Sequence, residues 1–163
     1  MNCAMCVNDF RLIKYGKETL TPEIFNNEHK KCLDFIKKAL NESKAKTKII
    51  VTHHVPSILL TAKEFVGSDI NNAFTVDLTD FIKNCGAKFW IFGHSHRNIN
   101  KLIGETYCLC NQVGYVQSNE HKTFNKEKYF DLDGKHIDLK VKRTDLDEKN
   151  INSNKKNKKC EIF

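Results

Sequence analysis

The segment Lys48–Thr52 (KIIVT) is followed at once by His53 and His54, and two residues later by Pro56. Its residues are mostly β-branched and the run is too short for a helix, which predicts a strand. Pro56 cannot donate a hydrogen bond to a central strand and marks the end of the run. We therefore expect the two histidines to lie in a loop at the carboxyl end of this strand.

A second segment repeats this arrangement further along the chain. Lys88–Phe92 (KFWIF) follows a break at Gly86 and ends at Gly93. Its apolar, aromatic-rich composition predicts another strand. Because glycine has no Cβ, we expect the chain to turn sharply at Gly93 and to present His94 and His96 in the loop that follows.

Two histidine pairs that follow strands point to a metal site. Neutral imidazole is a common ligand for Zn, Mn or Fe, and open α/β sheets keep their sites at the carboxyl ends of strands. The alternative is a structural role, which we assign to the isolated residues His29, His121 and His136. Burying several imidazoles without partners is costly, so the sequence favours a metal site built from three or four clustered histidines: His53, His54, His94 and His96.

The same residues resemble a known family. Val51–Ser57 (VTHHVPS) and Phe92–His96 (FGHSH) resemble the last two sequence blocks of the calcineurin-like metallophosphoesterases. Asn111–Tyr115 (NQVGY) resembles a segment that often follows them, and the stretch Asn8–Leu132 is compatible with the second half of that domain. The resemblance implies an α/β fold, namely the second half of a four-layer α/β/β/α sandwich.

The resemblance also implies a role for each histidine. His53 and His94 would bind the second of two divalent metal ions, and His96 would bind the first. His54 would be the catalytic neighbour that steadies the phosphate or protonates the leaving oxygen. The metals would be Mn, Fe or Zn, and a metal-activated water would attack a phosphoester substrate.

The chain departs from the family upstream of His53. The family supplies further ligands there from Asp-x-His, Gly-Asp and Gly-Asn-His motifs, and none of these precedes His53. A bridging carboxylate offsets the repulsion between two dications, which neutral imidazoles cannot do. For Asn8 and Asp9 an ordinary structural role is the simpler interpretation. We therefore expect a fragment that lacks the N-terminal ligand half of the domain.

Two helices are predicted around the first histidine strand. Thr21 as N-cap and Pro22 at the first helical position open one helix. Its apolar face should pack on the sheet and is formed by Phe25, Cys32, Leu33, Ile36 and Leu40. A second helix over Val76–Cys85 should end at Gly86, and its inward residues are Val76, Leu78, Phe81 and Ile82.

Two β-hairpins are predicted after the second histidine loop. The first has strands Ile99–Ile103 and Thr106–Cys110 around Gly104-Glu105. The second turns at Asp133-Gly134, between the alternating apolar residues Phe130 and Leu132 on one side and Ile137, Leu139 and Val141 on the other.

The chain is expected to divide into a partial phosphoesterase domain, residues 1–141, and a basic tail, residues 142–163. The tail is almost without apolar residues, so we expect it to be disordered. Its end, Cys160–Phe163 (CEIF), follows several lysines and resembles a prenylation signal, although Glu161 replaces an aliphatic residue. Cys160 is thus a candidate lipidation site, and the tail a candidate membrane contact.

The composition of the chain indicates its cellular compartment and the classes of partner it binds. The sequence has no run of eighteen apolar residues and no secretory signal. Its seven cysteines are scattered, which favours reduced thiols in the cytoplasm, and the spacing Cys108-x-Cys110 is not typical of a zinc site. The net charge of +7 includes no basic stripe interleaved with aromatic residues, so nothing indicates a nucleic-acid partner.

Two functions of different class follow. In the first, the chain is a metal-dependent phosphoester hydrolase, or part of one, whose specificity is shaped by the loop Ile58–Asn72. In the second, it is a catalytically inactive half-domain that acts as a binding or membrane-recruited module. In both, an exposed sheet edge is expected, which a partner or a missing segment would complete.

Overall fold

The N-terminal part of the chain forms a short helix, a small hairpin and a long helix. The computed structural model describes residues 6–68, 70–134 and 137. The elements in order are helix α1 (Asp9–Leu12), strands β1 (Lys14–Tyr15) and β2 (Glu18–Thr19), which pair antiparallel, and helix α2 (Pro22–Glu42).

Helix α2 begins where the sequence predicts. The hydroxyl of Thr21 accepts a hydrogen bond from the Ile24 backbone N–H at 3.2 Å, and proline occupies the first turn. Ile36 and Leu40 pack against the buried core, as expected. The prediction that Cys32 lies on the packed face is wrong, because its side chain is exposed. The helix contacts the core along a narrower stripe than its apolar pattern indicates.

A four-stranded mixed sheet carries both histidine loops. It consists of β3 (Ile49–Val51), β4 (Phe89–Ile91), β5 (Lys101–Ile103) and β6 (Thr106–Leu109), in the order β3-β4-β6-β5. The pairs β3–β4 and β4–β6 are parallel, and β5–β6 is the predicted antiparallel hairpin. The two histidine strands, β3 and β4, are therefore neighbours that run in the same direction. Their carboxyl ends lie side by side at the same end of the sheet.

The core lies on one face of this sheet. Ile50, Trp90 and Cys108 are register partners across three strands, and all three are buried. Helix α3 (Thr79–Asn84) contributes the fully buried Ile82 and also Phe81, whose ring meets the Trp90 ring edge-on at 6.1 Å between centroids. Burial of this cross-strand row against α2 and α3 is the main apolar stabilisation of the fold.

Helix α3 is shorter than predicted but ends where expected. Val76 and Leu78 precede its first residue, and Gly86 follows it with a left-handed φ of 69°. The hairpin packs closely against this helix at Gly104, which has a φ of 58°. A Cβ on Gly104 would lie 2.9 Å from the Lys83 Cα. Both the backbone conformation and the close approach therefore require glycine there.

The opposite face of the sheet is covered unevenly. The Phe89 ring stacks on the Tyr107 ring with 5.7 Å between centroids. The Phe130 ring also contacts the Phe89 ring, with 4.5 Å between centroids. At the edge strand β3, Val51 is 69% exposed and Ile49 is also exposed. In the described residues β3 pairs only with β4. Within the part of the chain that the structure describes, β3 is therefore the exposed edge strand that the sequence predicts.

The second predicted hairpin is not formed as expected. Phe130 and Leu132 lie outside any strand, and a turn closes where the Gly134 N–H donates to the Asp131 carbonyl at 2.8 Å. Of its second arm, Ile137 is described and is not in a strand, whereas Leu139 and Val141 lie outside the described residues. The turn was predicted correctly, but its first arm packs through Phe130 instead of by pairing.

The predicted α/β class is confirmed, with one mixed parallel sheet and helices on its core face. The four-layer sandwich stays a prediction. The basic tail and Cys160 lie outside the described residues, as does His136. Within residues 6–68, 70–134 and 137, no helix is both long and apolar enough to span a bilayer.

A pair of leucine substitutions tests the position of the core. Leu60 is 0% exposed and belongs to the core cluster, whereas Leu12 is 74% exposed. We expect Leu60→Ala to lower the free energy of unfolding by about 2–5 kcal/mol, because it leaves a cavity. The matched control Leu12→Ala should change it by less than about 0.5 kcal/mol. Urea denaturation measures both, and equal losses would contradict this core.

Candidate metal centre

The first histidine loop is tied to the core where β3 ends. The Thr52 hydroxyl accepts a hydrogen bond from the buried Trp90 indole N–H at 2.9 Å, and it donates to the His54 carbonyl at 3.2 Å. One residue later, the Val55 N–H donates to the Phe74 carbonyl at 3.0 Å. The backbone on both sides of His54 is therefore held by the interior of the domain.

The second histidine loop joins the first through the backbone. The Gly93 N–H donates to the His53 carbonyl at 3.0 Å. The prediction that Gly93 makes the sharp turn is wrong: the left-handed residues are His94, with a φ of 56°, and His96, with a φ of 52°. Such conformations cost about 1–3 kcal/mol each in non-glycine residues and concentrate at functional sites. The turn thus strains the two histidines themselves.

Three imidazoles converge between the loops. His53 Nε2 lies 2.9 Å from His94 Nδ1. The His54 ring centroid lies 5.3 Å from that of His53 and 4.9 Å from that of His94. One nitrogen from each of the three lies within 4.8 Å of the others. The His96 ring lies outside this group, with its centroid 5.7 Å from that of His94.

The surroundings keep the rings of His54 and His94 neutral. Burial lowers the pKa of His94 to about 4, assisted by the neighbouring imidazoles, and burial likewise lowers the pKa of His54. Phe74 contributes to this burial by stacking on His94 with 4.4 Å between centroids. The negative charge of Asp9 acts in the opposite direction on both histidines, but its effect is smaller. Neutral imidazole is the form that binds a metal ion.

His96 is oriented by a carboxylate. Its Nδ1 lies 2.9 Å from Glu120 Oε2, and the same oxygen accepts the Tyr115 N–H at 2.7 Å. The hydrogen bond from the Tyr115 N–H holds the pKa of Glu120 below its ordinary value, and the contact with His96 makes a smaller contribution in the same direction. Because an ionised carboxylate only accepts, the His96 proton must reside on Nδ1. In the neutral imidazole, the Nε2 lone pair is then available to a ligand.

Gly114 makes room for this carboxylate. A Cβ at Gly114 would lie 2.5 Å from Glu120 Oε2 and 2.6 Å from its Cβ, and its φ is 66°. Glu120 is only 10% exposed. The segment Asn111–Tyr115 thus contributes a glycine that allows an acidic side chain to approach His96.

A cavity of about 340 Å³ opens beside His94 and His96. Its other walls come from the segment between the first histidine loop and α3, and from Tyr115 and Glu120. The segment is linked to the second histidine loop by an ion pair between Glu64 and Arg97, with 2.5 Å between Oε1 and Nε. The residues predicted to shape specificity, Ile58–Asn72, supply much of this wall.

Comparison with known proteins agrees with this geometry. The sequence profile of the calcineurin-like phosphoesterases matches residues 4–98, which is more than half of the chain and includes both histidine loops. The chain belongs to the calcineurin-like phosphoesterase family.

One curated relative is an uncharacterized protein of Acanthamoeba polyphaga mimivirus. It is 33% identical over 142 residues, which are 81% of this chain and 50% of the relative. The chain therefore spans about half the length of this relative. No solved structure matches the chain.

The histidine group fits one divalent ion. Two nitrogens bound to a tetrahedral zinc ion at about 2.0–2.1 Å would lie about 3.3 Å apart, so the His53 and His94 nitrogens, which share a hydrogen bond at 2.9 Å, need to separate only slightly to bind it. Calcineurin-like phosphoesterases generally depend on divalent metals. In the described part of the chain, however, no carboxylate belongs to the group. The group therefore supplies nitrogen ligands but no bridging charge.

Sequence reasoning located the histidines and missed their supports. All four predicted histidines lie at the same sheet edge, with His54 inside the nitrogen group and His96 beside it. Neither Glu120 nor Phe74 was predicted from the sequence, because no local pattern marks a contact made across distant segments.

The isolated residues His29 and His121 lie outside the group, as expected, and Cys108 and Cys110 are buried free thiols. Burial raises the pKa of the Cys108 thiol to about 12.

A substitution of Glu120 tests the orientation of His96. We expect Glu120→Ala to reduce the population of the Nδ1–H tautomer, because the acceptor is lost, and to weaken metal binding by about 10–100-fold. The ¹⁵N chemical shifts of the His96 ring report the tautomer. Glu64→Ala is the matched control, since it removes an Arg97 partner without touching His96. An unchanged tautomer in Glu120→Ala would contradict the role of this contact.

Proposed function

We propose that the chain contributes the histidine half of a metal-dependent phosphoester hydrolase. The observation that carries this proposal is the convergence of His53, His54 and His94 within 4.8 Å at the end of two parallel strands. Membership of the calcineurin-like phosphoesterase family supplies the reaction class. The substrate is accordingly a phosphoester.

In this proposal His53 and His94 hold one divalent ion, and His96 holds a second. The contact of 2.9 Å between His53 and His94 nitrogens supports their joint role, and the Glu120 contact leaves the His96 Nε2 free for a ligand. A bound divalent ion would supply Lewis acidity and lower the pKa of a water molecule. The metals we expect are Mn, Fe or Zn.

His54 is proposed as the catalytic neighbour. Its ring centroid lies 5.3 Å from that of His53 and 4.9 Å from that of His94, so it would lie beside a phosphoryl group bound at those two residues. Its backbone is fixed by Thr52, and its neutral ring can hydrogen-bond a phosphate oxygen. It would steady the phosphate, and in its imidazolium form, which an adjacent phosphate anion favours, it would deliver a proton to the leaving oxygen.

Carboxylates that complete a dinuclear site would come from outside the nitrogen group. Asp9 is near enough for its charge to act on His54 and His94, but it does not belong to the group. The chain spans about half of its curated relative. We therefore propose that a further segment or a partner, added at the exposed edge of β3, supplies the missing ligands.

Paired substitutions separate catalysis from metal binding. In the enzyme completed by the segment or partner that supplies the carboxylates, we expect His94→Ala to lose both bound metal and Mn-dependent hydrolysis of p-nitrophenyl phosphate, because it removes a ligand. We expect His54→Gln to retain metal affinity within about 3-fold while turnover falls about 100-fold or more, because it removes only the proton donor. Metal content by isothermal titration and phosphate release measure the two effects.

The two measurements also distinguish the alternatives. Loss of metal in His54→Gln would make His54 a ligand instead of a catalytic residue. Near-normal turnover in His94→Ala would exclude the proposed site. If the completed wild-type enzyme binds metal but releases no phosphate, the hydrolase proposal fails and the binding module remains.

The second candidate function is a metal-binding module without turnover, recruited to membranes. It is favoured by the absence of a carboxylate from the nitrogen group in the described residues. Recruitment would use prenylation of Cys160 together with the lysines before it, which provide the two signals that stable anchoring needs. The unmodified protein would then be cytoplasmic.

This recruitment has its own test. In eukaryotic cells we expect the tagged wild-type chain to fractionate with membranes and Cys160→Ser to move to the soluble fraction, because the thiol that accepts the prenyl group is lost. Cys32→Ser is the matched control, since Cys32 is an exposed thiol in α2. Equal membrane fractions in wild type and Cys160→Ser would exclude the anchor.

A further inference from the structure

The cavity beside His94 and His96 is lined largely by aromatic and aliphatic side chains, with a few polar ones between them. Three rings line it, those of Phe65, Phe74 and Tyr115, together with Val55, Ala62 and Ile70. Its volume of about 340 Å³ is within the range of small-molecule sites. It is continuous with the histidines on one side and with the surface on the other.

The apolar side chains at its mouth are exposed. Phe65 is 36% exposed, Ile70 is 41% exposed and Tyr115 is 56% exposed. Phe65 and Ile70 belong to one segment and Tyr115 to another, and the fold brings them around one opening. Exposed apolar side chains gathered at a concave surface are typical of ligand sites, whereas single exposed ones need no explanation.

The cavity offers no positive charge to a ligand. No lysine or arginine lines it in the described residues. Its carboxylate, Glu120, is engaged by His96 and by the Tyr115 N–H. Arg97 lies nearby but is paired with Glu64. A second phosphate or another strongly anionic group would therefore be buried without compensation.

We propose that this cavity binds the uncharged aromatic group of a phosphoester whose phosphoryl group lies on the histidines. The inference rests on the proposed function and specifies its substrate class, a phosphate ester of an aromatic alcohol. Phe65, Phe74 and Tyr115 provide ring faces and edges for stacking. His94 and His96 lie at the cavity wall, so the ester oxygen would sit where the cavity meets the histidine cluster.

Two phosphonates that cannot be hydrolysed test the inference. The probes are phenylphosphonate and methylphosphonate, which share the same anionic head, titrated into the zinc-loaded full chain by calorimetry. We expect phenylphosphonate to bind on the order of 10–100-fold more tightly, because only its ring fills the cavity. Equal affinities would overturn the inference and leave the proposed function intact.

Two tryptophan substitutions in one segment provide the control. Ile70 lines the cavity mouth, so Ile70→Trp should obstruct it and remove the preference for phenylphosphonate. Val66 is 58% exposed and does not line the cavity, so Val66→Trp should keep the preference. Affinity for methylphosphonate should be unchanged in both variants. A preference that survives in Ile70→Trp would place the ring elsewhere and overturn the inference.

A neutral probe separates the two proposals. Benzyl alcohol added to the metal-free chain should shift the amide resonances of Phe65, Ile70 and Thr75 in ¹H–¹⁵N spectra, because aromatic binding does not need a metal. If neither phosphonate binds but these shifts occur, the phosphoester site fails and the aromatic site stands. Absence of the shifts in wild type would overturn the aromatic site itself.

Discussion

The parallel pairing of β3 with β4 is the constraint on which the site depends. Ile50 pairs with Trp90 and Val51 with Ile91, so the two strands end together and the Gly93 N–H reaches the His53 carbonyl. Parallel strands need a long crossover, and the segment between them carries α3 and the cavity wall. One register thus sets the histidine spacing, and a shift by one residue would exchange the buried and exposed faces of β3.

Backbone strain is concentrated in the second histidine loop, where we expect metal ions to bind. His94 and His96 adopt left-handed conformations that glycine would adopt without cost. The surrounding contacts hold them there: Phe74 stacks on His94, and Glu120 holds His96 through Nδ1. Gly114 in turn admits Glu120. The conformation of the second histidine loop therefore depends on the segment that contains Gly114 and Glu120, although that segment supplies no nitrogen to the group.

The site combines nitrogen ligands with an apolar cavity, and in the described residues no carboxylate belongs to the nitrogen group. Burial keeps His54 and His94 neutral, which suits metal binding but offsets none of the ion's charge. The exposed edge at Val51 lies on the strand that delivers His53 and His54. The exposed edge of β3, which could pair with another strand, is thus adjacent to the histidine group, to which carboxylates would have to be added. This is consistent with a chain that spans about half of its relative.

The sequence by itself determined the α/β class, both histidine strands, the start of α2, the β5–β6 hairpin and the family. These features are local, since β-branched runs, a Thr-Pro helix start and short histidine motifs can be read within a few residues. It did not determine that Cys32 faces solvent, that α3 is short, or that Phe130 packs instead of pairing. Those outcomes depend on which surfaces other segments cover. The contact of Glu120 with His96, the left-handed histidines and the aromatic cavity were decided only by the tertiary structure, because each joins residues that the chain brings together from distant positions.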